Sequence, residues 1–379
     1  MDVIFVIILG TALYALIVNL TQNRTRVQGP FIPWVLYGVH LLLTLGYMSF
    51  TYGGSSDSFK YYRVSAAAVN WMDLYGTGTF FINFFAWPFT HFFMLSYYAT
   101  MFAFSFFGLI GFYLLYRAAK ENIKPQPEYK PGFGLIELVF ILPNAHFWSS
   151  SLGKGSLMLF SMGLIFWGLS RFNRRYIQII IGCVLIYYIR PHILLAVVMG
   201  SVCGLLFTNT GLKSWIKWAL IFSALALFLF INKDVVEFAN TDSLNIFDSG
   251  ADDKLHKQIE SLSRANSGVD INSYSLPMKL FTFWFRPLFV DATSMIGFVS
   301  SFENVFYIFM FIAIFREVIK SWNDWNGWFK ICLFVFIIGS LALAQISGNL
   351  GIAMRQKGQI MPVFFIIYCK AMSYSKKRE

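Results

Sequence analysis

An all-α polytopic integral membrane protein, with about eleven transmembrane helices and one long outer loop, is the fold class this sequence predicts. Three observations lead there. Of 379 residues, 57% are apolar and only 13% are charged, against about 25% charged in an ordinary soluble domain. The apolar residues gather into continuous blocks separated by short basic loops. A bilayer core takes roughly 20 apolar residues to cross, which leaves little chain for a soluble domain. A nucleic-acid-binding module is excluded despite the net charge of +11. So is a soluble enzyme with a single anchor. One membrane domain over residues 1–379 is expected.

The blocks place spans near 3–20, 31–52, 92–116, 132–147, 155–170, 176–189, 191–207, 216–232, 293–315, 329–347 and 359–372. Block 3–20 follows Met1-Asp2 with no basic stretch before it, so it reads as a retained helix with its N-terminus outside. Short loops rich in Lys and Arg stay cytoplasmic. That rule puts Arg24, Arg26, Arg117, Lys120, Arg171, Arg174, Arg175, Arg316, Lys320 and the tail Lys376-Lys377-Arg378 inside. The C-terminus is therefore cytoplasmic. The run 176–207 is broken at Arg190-Pro191 and reads as two short spans, with a re-entrant hairpin as one form. The Phe-rich run 80–107 is interrupted by Pro88. A surface-lying or re-entrant piece at 80–90 then precedes a true span, and 53–91 forms an outer loop with helices of this kind. Cys183, Cys203, Cys332 and Cys369 lie in apolar blocks without metal-ligand or disulfide spacing.

Once sidedness is fixed, the outer polar residues become informative. Short outer segments hold Asp57, Lys60, Arg63, His146, Lys154, Arg190, His192, Arg355 and Lys357. Cations on the translocated side oppose the topology signal, and something else should require them. An anionic ligand at headgroup depth is the simplest requirement, because each cation a few Å from a phosphate contributes about 4 kcal/mol at an effective dielectric of 20. Arginine offers a bidentate fork and lysine a point charge. Snorkelling to headgroups is the plainer alternative.

The segment Gly53-Gly54-Ser55-Ser56-Asp57-Ser58-Phe59-Lys60-Tyr61-Tyr62-Arg63 is the most specific local feature. A glycine turn leaves span 2, and Ser56 or Asp57 caps a following helix. That helix carries Asp57, Lys60 and Tyr61 on one face. Asp57 fits a general base that takes a proton from an attacking hydroxyl. The hairpin from Pro143 to Gly155 adds His146 as an alternative base, Trp148 to stack on a sugar and Lys154 between two glycines. Arg190-Pro191-His192 and Arg355-Gln356-Lys357 supply further cations. The long loop 233–291 is mildly acidic and suits a lid. Its segment Phe281–Phe289, with Trp284 and Arg286-Pro287, looks interfacial. The pair Asp252-Asp253 lacks a placed third ligand, so no metal or other cofactor is expected.

Together these features resemble bacterial membrane polysaccharide polymerases and glycosyltransferases of the EpsG and Wzy types, and more loosely the GT-C glycosyltransferases. Asp57 and Tyr61 match an Asp-x-x-x-Tyr pattern after an early span, Arg190 and Arg355 match outer-loop arginines, and Asp57 matches an acidic residue in the first outer loop. Asp57 has no acidic neighbour before Asp73, and loop 233–291 is mixed in charge rather than arginine-rich. The resemblance implies transfer or polymerisation of saccharide from a polyprenyl-diphosphate-linked donor at the outer face of the bacterial cytoplasmic membrane. Other polysaccharide-assembly proteins are partners it implies, along with membrane lipid. Alternatives are a flippase of lipid-linked saccharides, needing the same cations but no base, and a membrane O-acyltransferase using His146 or His192.

Overall fold

The structure, a computed structural model, describes residues 1–22, 31–52, 56–124, 128–130, 133–208 and 268–375, with scattered helical residues between 215 and 229. The Gly53-Gly54 turn, Arg24, Arg26, part of span 216–232, residues 233–267 of the expected lid with the Asp252-Asp253 pair, and the tail cations Lys376, Lys377 and Arg378 lie outside them. The described chain is nearly all helical and divides into two compact units, Met1–Ile189 and Arg190–Glu379.

Among its described residues the first unit holds nine α-helices: α1 (Asp2–Gln22), α2 (Ile32–Thr51), α3 (Asp57–Ala67), α4 (Thr79–His91), α5 (Tyr97–Asn122), α6 (Leu135–Phe140), α7 (Pro143–Ser149), α8 (Lys154–Leu169) and α9 (Phe172–Ile189). On α1 the buried residues Val6, Gly10, Tyr14 and Val18 recur every four positions. Ile4, Phe5, Ile8, Leu13, Leu16 and Leu20 are exposed on its other side. An apolar face of that length is untenable in water and ordinary against lipid tails. Ser96 caps α5, whose start falls later than expected because Phe92 to Leu95 makes a turn with Met94 at φ 48°. α5 is the axis of the unit, buried along most of its length. It crosses α8 where Gly111 meets Gly163, and a Cβ on Gly163 would stand 2.4 Å from the Gly111 carbonyl oxygen.

The expected span 132–147 is replaced by other structure. Two short antiparallel strands, β1 (Glu128–Lys130) and β2 (Phe133–Gly134), lead into the six-residue α6, and α7 restarts at Pro143. The cause is local. Glu137 turns back to accept from the Gly134 amide, 2.8 Å, and fixes the start of α6, while Pro143 suits only the first turn of a helix. α7 and α8 then meet at a bend of 114°. Pro88 lies inside α4, in the piece expected to be re-entrant or surface-lying.

The second unit, among its described residues, comprises α10 (Pro191–Leu206), α11 (Leu276–Phe285), α12 (Met295–Ser321), α13 (Gly327–Ile346) and α14 (Leu350–Ser375). Arg190 caps α10 and Pro191 opens it, so the break expected at this dipeptide is present. Trp284 of α11 donates to Ser340 of α13, 2.9 Å, and stacks on Phe336. Phe311 of α12 stacks on Phe364 of α14 at 4.3 Å. Among the described residues five helices, α1, α2, α5, α12 with its 3-10 extension, and α13, are long and apolar enough to cross a membrane. The bent pair α7–α8 makes a sixth if it counts as one span.

Candidate functional site

α3 is built as its sequence suggests. Ser56 is the N-cap, its hydroxyl accepting from the Phe59 amide at 3.4 Å, and Asp57 becomes the first helical residue. A carboxylate there is favoured by the positive end of the helix dipole. One side of α3 is tied down: Ser58 bonds the Tyr97 hydroxyl at 2.8 Å, Tyr62 donates to the Leu95 carbonyl, and Ser65 donates to the Asn83 carbonyl. That tether turns the other side outward. Lys60 and Arg63 are exposed there, and Asp57 and Tyr61 are half-buried. The Arg63 guanidinium lies 5.8 Å from the centre of the Phe59 ring.

Tyr61 reaches the bend between α7 and α8. Its Cε2 would lie 3.4 Å from a Cβ placed on Gly153. Gly153 is the N-cap of α8 and offers no side chain to cap its amides. Lys154, half-buried, is the first helical residue. A lysine beside an uncapped helix start makes an electropositive spot, since the dipole and the ammonium carry the same sign. The Tyr61 ring, on the helix bearing Asp57, thus comes close to Gly153, just before the helix that opens at Lys154.

The two aromatic candidates of α7 are placed differently. His146 is fully buried. Its Nδ1 lies 2.9 Å from Nδ1 of His40 and its Nε2 lies 2.8 Å from the Phe140 carbonyl oxygen. Trp148, also buried, makes edge contacts with Tyr47, Phe50 and Phe147. Both sit in aromatic packing, not on an open face.

In the second unit, Arg190 is buried at the cap of α10 and His192 is half-buried one residue beyond Pro191. Arg286 closes a bidentate pair with Asp291, Nε to Oδ2 at 2.8 Å and Nη2 to Oδ1 at 2.9 Å. Those hydrogen bonds hold the Asp291 carboxyl below the ordinary carboxylate range. Lys357 is fully buried. Its Nζ donates to the carbonyls of Trp284, 3.1 Å, and Arg286, 3.4 Å, and to Oδ1 of Asn304. An ammonium has three protons, and three protein acceptors use them. Beside it the Tyr307 hydroxyl bonds the Glu303 carboxylate. Arg355, half-buried, is on the same helix as Lys357.

His40, Asp291, Glu303, Asn304 and Tyr307 escaped the sequence reading, which weighed the loops between spans. The signal was present: an ionisable residue inside an apolar span is costly and seldom idle, and His40 and Glu303 lie within spans 31–52 and 293–315. Among the described residues no three His, Cys, Asp or Glu side chains gather as a metal site would require. No protein-family model matches the chain, and no curated protein or solved structure matches it.

Proposed function

We propose that this protein transfers or polymerises saccharide units from a polyprenyl-diphosphate-linked donor at the outer face of the bacterial cytoplasmic membrane, in the making of a surface polysaccharide. The observation that carries the reading is the contact of Tyr61 with Gly153, which sets a half-buried carboxylate helix beside a cationic, uncapped helix start. Asp57 takes the proton from the acceptor hydroxyl as that oxygen attacks the anomeric carbon. The bond from that carbon to the diphosphate breaks, and the lipid diphosphate leaves with the electron pair. Lys154 and the first amides of α8 meet the charge that develops on it, with Lys60 and Arg63 as further cations. Arg190, His192 and Arg355 belong to the second unit, and in this reading they are residues of outer segments. Eleven crossings, with the N-terminus outside and the C-terminus cytoplasmic, complete the proposed topology.

The test is reconstitution of the purified protein in proteoliposomes with polyprenyl-diphosphate-linked saccharide, with product length as the readout. Asp57→Asn should lower chain extension by 100-fold or so, the usual scale for losing a general base, with donor binding retained. Full extension by a well-folded Asp57→Asn protein removes the base assignment. Movement of donor across the bilayer with no extension, in the unaltered protein, supports the flippase alternative instead.

A further inference from the structure

The buried histidine pair of the first unit poses a proton-counting problem. His40 on α2 and His146 on α7 face each other with their Nδ1 atoms 2.9 Å apart. The remaining nitrogens each meet a backbone carbonyl: Nε2 of His40 lies 3.0 Å from the Ser105 oxygen, and Nε2 of His146 lies 2.8 Å from the Phe140 oxygen. A carbonyl only accepts, so each Nε2 must carry a hydrogen to make its bond. A neutral imidazole has one hydrogen in all. Two neutral rings satisfying both carbonyls would point two bare lone pairs at each other across 2.9 Å. Moving a hydrogen to one Nδ1 mends that contact and leaves a bare Nε2 facing a carbonyl. Only a third hydrogen satisfies every contact at once.

We propose that His40 and His146 together bind one proton, shared along the line between the two Nδ1 atoms, and that this bond is a proton-dependent latch between α2 and α7. The charge spreads over two rings and is met by two carbonyl dipoles. It also lies against the face of Phe112, stacked on His146 at 3.8 Å, an arrangement that favours a cationic ring. Tyr47 on α2, Tyr116 and Arg117 on α5, Glu137 on α6 and Lys154 on α8 are titratable groups on the elements packed around the pair. The Glu137 carboxylate is held by Lys120, 2.8 Å, and Tyr116, 3.0 Å, and Arg117 engages Glu121 and the Thr21 carbonyl. Losing the proton restores facing lone pairs and opens the contact. α7 is the helix that runs into the bend at Gly153, so the latch sets where that bend stands.

Solid-state ¹⁵N NMR of the full-length, histidine-labelled protein in lipid bilayers at neutral pH tests this. The expected spectrum contains one doubly protonated imidazole joined through Nδ1–H···Nδ1 to a neutral ring protonated at Nε2. Both signals disappear in His40→Gln and in His146→Gln. Where those variants fail to fold, His91→Gln, His192→Gln and His256→Gln assign the other three rings by elimination, and the unaltered protein still gives the proton count. Two neutral rings, one with a bare Nε2, overturn the proposal.

Discussion

The edge of the Tyr61 ring rests on Gly153, close enough that a methyl group on that glycine would lie 3.4 Å from Tyr61 Cε2. That spacing is ordinary van der Waals contact, and Gly153 has an extended backbone, φ 162°. Gly153→Ala should therefore fold and extend saccharide nearly as well as the parent. Gly153→Leu cannot share the space with the ring and should displace α3 from the bend, lowering extension at least tenfold while the thermal midpoint moves little. Tyr61→Ala in the Gly153→Leu background, relieving the clash, should restore part of the loss. Equal activity of the alanine and leucine variants in the extension assay would show that this contact does not position Asp57.

The crossing of α5 and α8 leaves no such room. A Cβ on Gly163 meets the carbonyl oxygen of Gly111 at 2.4 Å, and one on Gly111 meets the Leu159 carbonyl oxygen at 2.4 Å. Both obstacles are backbone, so the helices must part. Gly163→Ala should cost about 1–3 kcal/mol, read as a lower unfolding midpoint in detergent micelles. Gly38→Ala on α2, where nothing lies within 4 Å, serves as the control and should not destabilise.

Glu121 gathers charge from three directions. Arg117, Arg171 and Arg175 reach it at 3.3, 3.3 and 2.9 Å, and its side chain is 1% exposed. Glu121→Ala leaves three guanidinium groups crowded in a poorly solvated place, which should cost about 3–5 kcal/mol. Measured unfolding within about 1 kcal/mol of the parent would mean that water or headgroups, not Glu121, neutralise the cluster.

The same cluster shows how far the sequence could be read. Arg117, Arg171 and Arg175 stand out as anchors of one membrane side, because basic residues between apolar blocks obey a compositional rule. That they converge on one glutamate depends on where α5, α8 and α9 end relative to each other, which no local pattern encodes. The starts of α1, α2 and α3 were legible for a related reason: hydropathy and a serine cap act within a few residues. Span 132–147 was misjudged because an apolar count cannot see Glu137 folding back on Gly134. In the site, α3 and the Gly153-Lys154 start could be named from turn chemistry. The burial of His146 could not, because its partner His40 is 106 residues away.

Acid should loosen the turn after α11. Asp291 is held in its ionised form by Arg286, and also accepts from the Leu288 amide at 3.2 Å. Its folded-state pKa is lowered, so the stability it adds is present above the ordinary carboxylate pKa near 4 and vanishes as pH falls through the folded value. With both side chains 17% exposed, the effect should be about 1 kcal/mol or less. The unfolding midpoint of Asp291→Asn should match the parent's at the lowest pH and fall below it at neutrality. A constant gap at every pH would mean that the charge on Asp291 is irrelevant.

Lys357 and Lys60 both carry charge beside candidate site residues, yet they should respond to substitution in opposite ways. Lys357 has every proton committed to Trp284, Arg286 and Asn304, and these acceptors come from the end of α11 and from α12. Lys357→Met strips all three at once, in a place with no exposure, and should cost about 3–5 kcal/mol. Lys357→Arg should not rescue it, since a planar fork cannot reproduce three tetrahedral donors. Lys60 is exposed on α3, so Lys60→Ala should change stability by about 0.5 kcal/mol or less while weakening use of the diphosphate donor. Thermal unfolding and donor saturation curves on the same two proteins separate the roles. A stable Lys357→Met protein with a raised donor KM would move Lys357 from the framework of the second unit into the substrate site, because only a lysine that gives up its internal acceptors for a diphosphate could behave that way.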